Sequence, residues 1–212
     1  MHLQLYAQDQ LNQKDDNGKR HGAWKVYFED HPVQLKFEGD YEHGLRTGVF
    51  KYYQEGLKHP VATMLFDPKN DTVEVKYLSQ GGKVISEGRM VDKQRIGTWK
   101  YYHKDSDKLM MVEHYENGLL EGEKLTYYDT GKLAEKSHYI KGELNGEKQL
   151  FSEKGVVLQD LTYENGELHG PAKIYNGKGE LLSEGSYKRD KHWGLWRYYE
   201  NGNLKEEKNY SK

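Results

Sequence analysis

Hydrophobic and polar residues alternate in short stretches along most of the chain, which is the pattern of β-strands with one buried face. Many of these stretches are followed by turn sequences such as Asn117-Gly118, Asn165-Gly166 and Asn201-Gly202. Asn and Gly accept the positive φ that tight hairpin turns require. No stretch combines the three-to-four spacing and the length of a helix. The pattern therefore predicts a succession of β-hairpins.

One glycine returns at a nearly fixed interval and marks the start of each repeat. This anchor glycine stands at Gly22, Gly48, Gly97, Gly122, Gly146, Gly170 and Gly194, so the steps are 26, 49, 25, 24, 24 and 24 residues. The step of 49 residues spans two repeats, the second of which has lost its glycine near Thr72. The chain is thus predicted to hold eight repeats of about 24 residues and about 16 short strands.

An aromatic residue follows each anchor position by five residues, and we name this set the aromatic column. Its members are Tyr27, Tyr53, Tyr77, Tyr102, Tyr127, Phe151, Tyr175 and Tyr199. Side chains alternate along a strand, so positions two and four after the anchor share one face and positions three and five share the other. The first face carries Trp99 and Trp196 and is expected to be packed. The sequence leaves open whether the column lines a groove or is packed as well.

Composition favours a thin fold over a thick core. Only 35% of the residues are hydrophobic, 18 residues are Tyr, and 31% of the residues are charged. A hairpin of two short strands is marginal alone and gains stability from its neighbours. We therefore predict an all-β fold, an elongated single-sheet array of about eight β-hairpin repeats.

The charge balance and the absence of cysteine narrow the function. The net charge is -2, from 32 basic and 34 acidic residues. This balance provides no long-range field to attract nucleic acid or an anionic membrane, so both are disfavoured as partners. The chain has no Cys, which excludes disulfides and thiolate sites. It also has no apolar run of the roughly 18 to 20 residues that a membrane-spanning helix needs.

Catalytic and metal-binding readings find little support. His114 and His138 occupy equivalent places in successive repeats, about 9 to 10 Å apart across two strands, which is too far for both to ligate one ion. Glutamates such as Glu87, Glu113 and Glu184 recur at the repeat interval and are predicted to form a solvated face that pairs with lysines across strands. No phosphate-binding or nucleophile motif occurs. We expect no enzyme activity and no catalytic, metal or cofactor site.

One pattern occurs at Gly97-Thr98-Trp99-Lys100-Tyr101-Tyr102 and again in the stretch from Gly194 to Leu204. It resembles a known repeat family, the MORN-repeat variant found in many bacterial proteins. The resemblance extends over about residues 17 to 210 and implies a non-enzymatic module that binds a protein or peptide partner. Members are often labelled antitoxins of the YwqK type, which suggests an antitoxin or immunity-like role. The alternatives are a structural or envelope scaffold that forms homo-oligomers through sheet edges and, as a lesser one, lipid-surface binding.

The domain prediction separates a short leader from the repeats. Residues 1–16 are interpreted as a leader remnant or flexible tail, and residues 3–8 look like the end of a secretory signal. This favours an exported or periplasmic protein, with a cytoplasmic location as the alternative. Residues 17–212 are predicted to form one repeat domain with a degenerate unit around residues 54–90, where Pro60 and Pro68 are expected to interrupt strands. That unit is either a product of drift or a specialised binding surface.

The candidate partner-binding residues combine the aromatic column with one residue of the degenerate unit. They are Tyr27, Tyr53, Phe66, Tyr77, Tyr102, Tyr127, Phe151, Tyr175 and Tyr199.

Overall fold

The computed structural model describes residues 11–104 and 106–211, and the chain divides into two compact units, residues 1–96 and 97–212. The first unit contains β1 (Gln13–Lys14), β2 (Arg20–Tyr27), β3 (Leu35–Glu42), β4 (Leu45–Tyr52), β5 (Ala62–Asp67), β6 (Asn70–Leu78) and β7 (Val84–Val91). β8 (Gln94–Tyr102) crosses the boundary along the chain. The second unit continues with β9 (Leu109–Glu116), β10 (Leu119–Leu120), β11 (Gly122–Tyr127), β12 (Leu133–Ile140), β13 (Glu143–Phe151), β14 (Val157–Glu164), β15 (Glu167–Tyr175), β16 (Leu181–Lys188), β17 (Lys191–Glu200) and β18 (Asn203–Asn209).

Each unit is an antiparallel sheet built from hairpins in chain order. In the first unit, every strand from β1 to β6 pairs with the strand that follows it. In the second unit, β9 pairs with β8, β10 and β11, and each strand from β11 to β17 pairs with the next one. All regular secondary structure in the described residues consists of β-strands. The all-β hairpin-repeat prediction is therefore confirmed.

The anchor glycines mark irregular points in the strand pairing. All seven have positive φ, from 62° at Gly97 to 110° at Gly170. Opposite Gly146 the register shifts between Ser137 and Tyr139 of β12. Residues 145–147 of β13 therefore lie opposite the single residue His138. Residues with a Cβ atom adopt such φ values only with strain. The recurring glycine therefore meets the backbone requirement of a β-bulge, as the strand register shows at Gly48, Gly146, Gly170 and Gly194.

The face formed by positions two and four is packed, as predicted, and we call it the core face. Trp99 and Phe50 are completely buried, and Trp196 is 2% exposed. Glycine on the neighbouring strand lets two of these rings lie against the backbone. A Cβ atom on Gly39 would lie 2.5 Å from Cγ of Phe50, and one on Gly185 would meet the Trp196 indole closer than 3.0 Å. The rings thus take the space that a side chain would need.

The opposite face carries rows of basic and acidic side chains with tyrosines between them. The Glu38 carboxylate accepts hydrogen bonds from the Tyr53 hydroxyl at 2.9 Å and from Nζ of Lys51 at 3.2 Å. Tyr199 repeats the arrangement, donating its hydroxyl to Glu184 at 2.8 Å. Positions three and five therefore share a face in these two repeats, as the alternation predicts.

The core face becomes polar in the middle of the second unit, where Lys124 and Lys148 stand at the position that holds Trp99 and Trp196 elsewhere. Glu113 pairs with Trp99 in the register and is 5% exposed, so the prediction of a solvated Glu113 is wrong. Nζ of Lys124 lies 3.6 Å from its carboxylate, and the Tyr115 hydroxyl donates to it at 2.7 Å. Burial of Glu113 is tolerated because both charge and hydrogen-bonding capacity are matched.

The third repeat is offset by one residue from the sequence prediction. Val75 pairs with Gly88 and Tyr77 with Ser86, which corresponds to Trp99 with Glu113 and Tyr101 with Met111 in the next repeat. The anchor position is therefore Val73 and not Thr72. A shift of one residue exchanges the two faces of a strand. Tyr77 consequently lies on the core face, and Leu78 takes the place predicted for an aromatic residue.

Two further expectations about the N-terminal half change. Gln13–Lys14 form β1, and the Trp24 indole Nε1 donates to the Gln13 carbonyl at 3.0 Å, so this part of residues 1–16 is a strand and not a flexible tail. The proposed secretory-signal residues 3–8 lie outside the described residues. Pro60 precedes β5 and Pro68 lies in the turn between β5 and β6, so both prolines separate strands and do not interrupt them.

Candidate functional site

The aromatic column is largely engaged in the packing of its own face. Tyr27 is exposed, whereas the other column members on that face are half-buried. Burial, together with the hydrogen bond to Glu38, raises the pKa of Tyr53 to about 12. The hydrogen bond to Glu184 likewise raises the pKa of Tyr199. These hydroxyls are held within rows of charged side chains, which is a framework role.

Phe66 and Tyr77 lie together on the core face of the first unit, on the wall of a groove of about 410 Å³ that we call the apolar groove. Strands β4 to β7 and the turn after β7 supply its lining. The lining residues are Arg46, Tyr52, Met64, Phe66, Val73, Val75, Tyr77, Met90, Asp92 and Lys93. The structure thus brings together two of the nine predicted candidates and adds eight residues that the aromatic pattern does not include.

The apolar groove exists because the third repeat has a small residue where a large ring is expected. Phe50 pairs with Met64, Met64 with Val75, and Val75 with Gly88, so these four residues form one row across four strands. Val75 occupies the position that Phe50 and Trp99 hold in the neighbouring repeats along the chain. Valine does not fill the volume of a phenylalanine or an indole, and Gly88 adds no side chain. Val75, which is 1% exposed, forms the floor of the space that results.

Aromatic rings form the walls around this floor. Tyr52 and Tyr77 both pair with Ala62, which separates the two tyrosines by two strand spacings, or about 9 to 10 Å. The Phe66 ring packs edge-on against Phe50 with centroids 5.2 Å apart. Burial raises the pKa of Tyr52, so its hydroxyl is a weaker acid than that of a solvated tyrosine. The walls thus offer apolar surface with hydroxyl groups at one side.

Charged side chains occupy the rim of the apolar groove. The Arg46 guanidinium lies over two rings, 5.2 Å from the centroid of Phe66 and 5.6 Å from that of Phe50. Asp92 and Lys93 form the turn after β7, both with positive φ. All three are exposed at the rim. The lining therefore contains two cations and one anion around a mainly apolar interior.

A second depression, of about 350 Å³, lies beside Tyr53 in the same unit. It is formed by two connecting segments that Gln34 holds together. The Gln34 amide donates to the carbonyls of Gln54 at 3.0 Å and Leu57 at 3.3 Å, and its side-chain oxygen accepts from the Gly56 amide at 3.0 Å. The lining of this depression is more polar than that of the apolar groove, so it is the weaker candidate.

Histidine and carboxylate side chains are the remaining candidates for a site in residues 11–104 and 106–211. Within that range, no group of three or more His, Cys, Asp or Glu residues could hold a metal ion. His114 and His138 each point Nδ1 at a backbone carbonyl, that of Glu123 at 2.9 Å and that of Asn145 at 3.0 Å. Both histidines therefore satisfy carbonyls beside the bulges, a role that repeats with the array.

Comparison with known families finds similarity to MORN repeats in three segments of the second unit. The family described as MORN repeat variant matches residues 120–141, 168–189 and 194–212. The resemblance inferred from the sequence is thus supported at three repeats. No curated protein matches the chain.

Similarity to solved structures is distant. A structure described as the GtfA/B complex is 16% identical with a TM-score of 0.24, covering 57% of this chain and 20% of that one. A TarM mutant from S. aureus in complex with Fondaparinux, alpha-GlcNAc-glycerol and UDP is 10% identical with a TM-score of 0.26, covering 63% of this chain and 21% of that one. The chain spans about a fifth of the length of each of these two solved structures. Across residues 11–104 and 106–211, no helix is long and apolar enough to cross a membrane.

Proposed function

We propose that this chain is a non-enzymatic repeat module that binds a partner protein, and that the partner docks on the apolar groove of the first unit. The observation that carries the proposal is the groove itself, which lies at the one repeat without its anchor glycine. The MORN-type repeats support the general class, since such repeats are generally protein- or membrane-binding modules. The groove gives the array a surface that differs from the equivalent surfaces of the neighbouring repeats.

A single inserted side chain would contribute substantially to the affinity of the partner. Moving a Leu or Phe side chain of the partner from water into the groove contributes about 1.5 to 3 kcal/mol. Protein interfaces draw most of their affinity from a few such anchors in well-formed pockets. Discrimination between partners needs features that a wrong partner cannot match. The offset third repeat provides such a feature, whereas the regular repeats present similar surfaces several times.

An antitoxin or immunity-like role is the most specific version of this proposal, because it calls for one cognate partner bound at one site. The rival role is a scaffold that self-associates through sheet edges. The last strand, β18, weighs against that rival, since it is exposed along its whole length and carries Lys205, Glu206, Glu207 and Lys208. Charged side chains on a strand oppose pairing with a second copy.

The test compares variants in affinity capture from the native cell and then with the purified partner. Val73→Phe fills the groove from its half-buried wall, and Phe66→Ala removes part of that wall. Val157→Phe is the matched control, because Val157 is a half-buried strand valine in the second unit. Circular dichroism confirms that each variant folds before capture.

The proposal expects a stoichiometric partner that the control retains and both groove variants lose. If purified partner binds all variants equally, the groove is not the docking site. If sedimentation shows concentration-dependent oligomers of the chain alone and no partner is captured, the scaffold role replaces the proposal.

A further inference from the structure

The charges at the rim of the apolar groove indicate which partner segment it would accept. We infer that the groove selects an extended segment of a partner protein in which a large apolar side chain stands next to a carboxylate. This inference rests on the proposed docking function and adds the chemistry of the ligand. It depends on Arg46, Lys93 and Asp92, the three charged residues of the lining.

Arg46 is placed to receive a carboxylate. Arg46 is an exposed residue, and its guanidinium carbon lies 5.6 Å from the Phe50 ring centroid and 5.2 Å from that of Phe66. Arg20 holds the equivalent position in the first repeat, two residues before the anchor, but donates Nη1 to the Tyr41 hydroxyl at 2.9 Å. A guanidinium supported by rings binds carboxylates with paired hydrogen bonds. Arg46 thus offers a charged contact directly beside the apolar interior.

The two turn residues add an asymmetric pair of charges. Lys93 contributes a second cation, so cations exceed anions at the rim by two to one. Asp92 contributes an acceptor, which repels a lone carboxylate but can accept a hydrogen bond from a backbone N–H. A peptide segment supplies both a side-chain carboxylate and N–H donors. A fatty acid supplies a carboxylate without donors, so the mixed rim favours a peptide over a lipid.

The size of the groove agrees with the binding of a short peptide segment. A volume of about 410 Å³ lies at the lower end of the roughly 300 to 1,000 Å³ typical of ligand pockets. It is suited to one or two large side chains of an extended segment. The apolar residue would lie over Val75, and the acidic residue would reach Arg46 at the rim.

The experiment uses three synthetic peptides of about ten residues, in the size range of segments read by recognition modules. Each has a central Phe-Leu pair flanked by Glu, by Gln or by Lys, and binding to the full chain is followed by fluorescence anisotropy up to millimolar peptide. We expect the Glu peptide to bind about three- to tenfold more tightly than the Lys peptide, with the preference falling as salt is added. Arg46→Gln and Lys93→Gln should each reduce that preference, and Arg46→Lys should retain only part of it, because an ammonium group cannot form the paired hydrogen bonds of a guanidinium. Arg189→Gln, in an equivalent turn of the second unit, is the control and should leave it unchanged.

The outcomes separate the charge inference from the docking function. If all three peptides bind equally and Val73→Phe abolishes binding, the groove docks peptides but the acidic preference is wrong. If wild type binds no peptide, or if Val73→Phe binds as wild type does, the docking function is wrong as well. If decanoate displaces the Glu peptide and binds more tightly than it, the groove is a lipid site and the inference is overturned.

Discussion

Replacing Gly185 by Ala should destabilise the second unit, because the Trp196 indole occupies the space of the missing side chain. A Cβ atom at position 185 would meet three indole carbons of Trp196 closer than 3.0 Å. The ring is not free to move aside, since Trp196 is 2% exposed and its Nε1 donates to the Ser186 carbonyl at 2.9 Å. The added methyl group must therefore displace either the ring or the strand.

The magnitude follows from three contributions. Overpacking a dense core costs about 1 to 3 kcal/mol. Displacing the indole loses a hydrogen bond that contributes about 1 kcal/mol. Replacing glycine by alanine also stabilises the folded state by about 0.4 to 1 kcal/mol, because alanine lowers the conformational entropy of the unfolded chain. The net loss in the free energy of unfolding is about 2 kcal/mol, which corresponds to a shift of about 1 M in the urea midpoint.

The assay is urea unfolding followed by tryptophan fluorescence, with Gly177→Ala as the matched control. Gly177 lies in the turn before β16, has no positive φ, and a Cβ atom there would meet nothing within 4 Å. Gly177→Ala should be neutral or slightly stabilising. Adding Gly185→Ala to Trp196→Ala should cost much less than adding it to wild type, since the clash is then absent. Equal midpoints for the two glycine variants would refute the account of core-face packing.

Three other perturbations test separate parts of the structure. Trp99→Ala should lower the free energy of unfolding by about 3 to 5 kcal/mol, because a completely buried indole is lost, and denaturant unfolding against wild type measures this; a loss below 1 kcal/mol would contradict it. Glu113→Ala should lower the free energy of unfolding by about 2 kcal/mol, since Lys124 and the Tyr115 hydroxyl lose a buried carboxylate. Glu206→Ala on exposed β18 should be nearly neutral in the same assay. The pKa of Tyr53 is raised to about 12, so its contribution to stability is complete below pH 10 and is lost as the pH rises through 12. Alkaline titration of phenolate absorbance should therefore lose one late-titrating group in Tyr53→Phe, and an unchanged curve would argue against the Tyr53–Glu38 hydrogen bond.

The repeat period was sufficient to predict the hairpins, the recurring glycine positions and the burial of Trp99 and Trp196. Each of these depends on local backbone conformation or on side-chain alternation, which the sequence expresses directly. The face of Tyr77 was not predictable in the same way, because the lost glycine removed the marker of the register. With the anchor placed at Thr72, Tyr77 falls in the aromatic column; with the anchor at Val73, it faces the apolar groove.

The candidate site could be predicted only as a region. Residues 54–90 stood out as irregular, and the apolar groove lies over much of that segment. Its floor depends on Val75 lying beside Met64 and Gly88, a cross-strand row that is fixed by pairing and not by order along the chain. The burial of Glu113 was not predicted for a related reason. Glu113 lies beside Trp99 because of the pairing of β8 with β9, which the order of residues along the chain does not specify.

The methionines provide the most direct test of docking on the apolar groove. The chain has five Met residues; Met64 and Met90 line the groove, while Met110 and Met111 lie on β9 in the second unit. Carbon-13 methyl labelling of methionine gives each a separate NMR signal, which can be assigned by single Met→Leu substitutions. On titration with the Glu-flanked peptide, we expect the Met64 and Met90 signals to shift together and to saturate at one affinity, with Met110 and Met111 unmoved. Shifts at Met110 and Met111 with Met64 and Met90 unchanged would contradict docking on the groove.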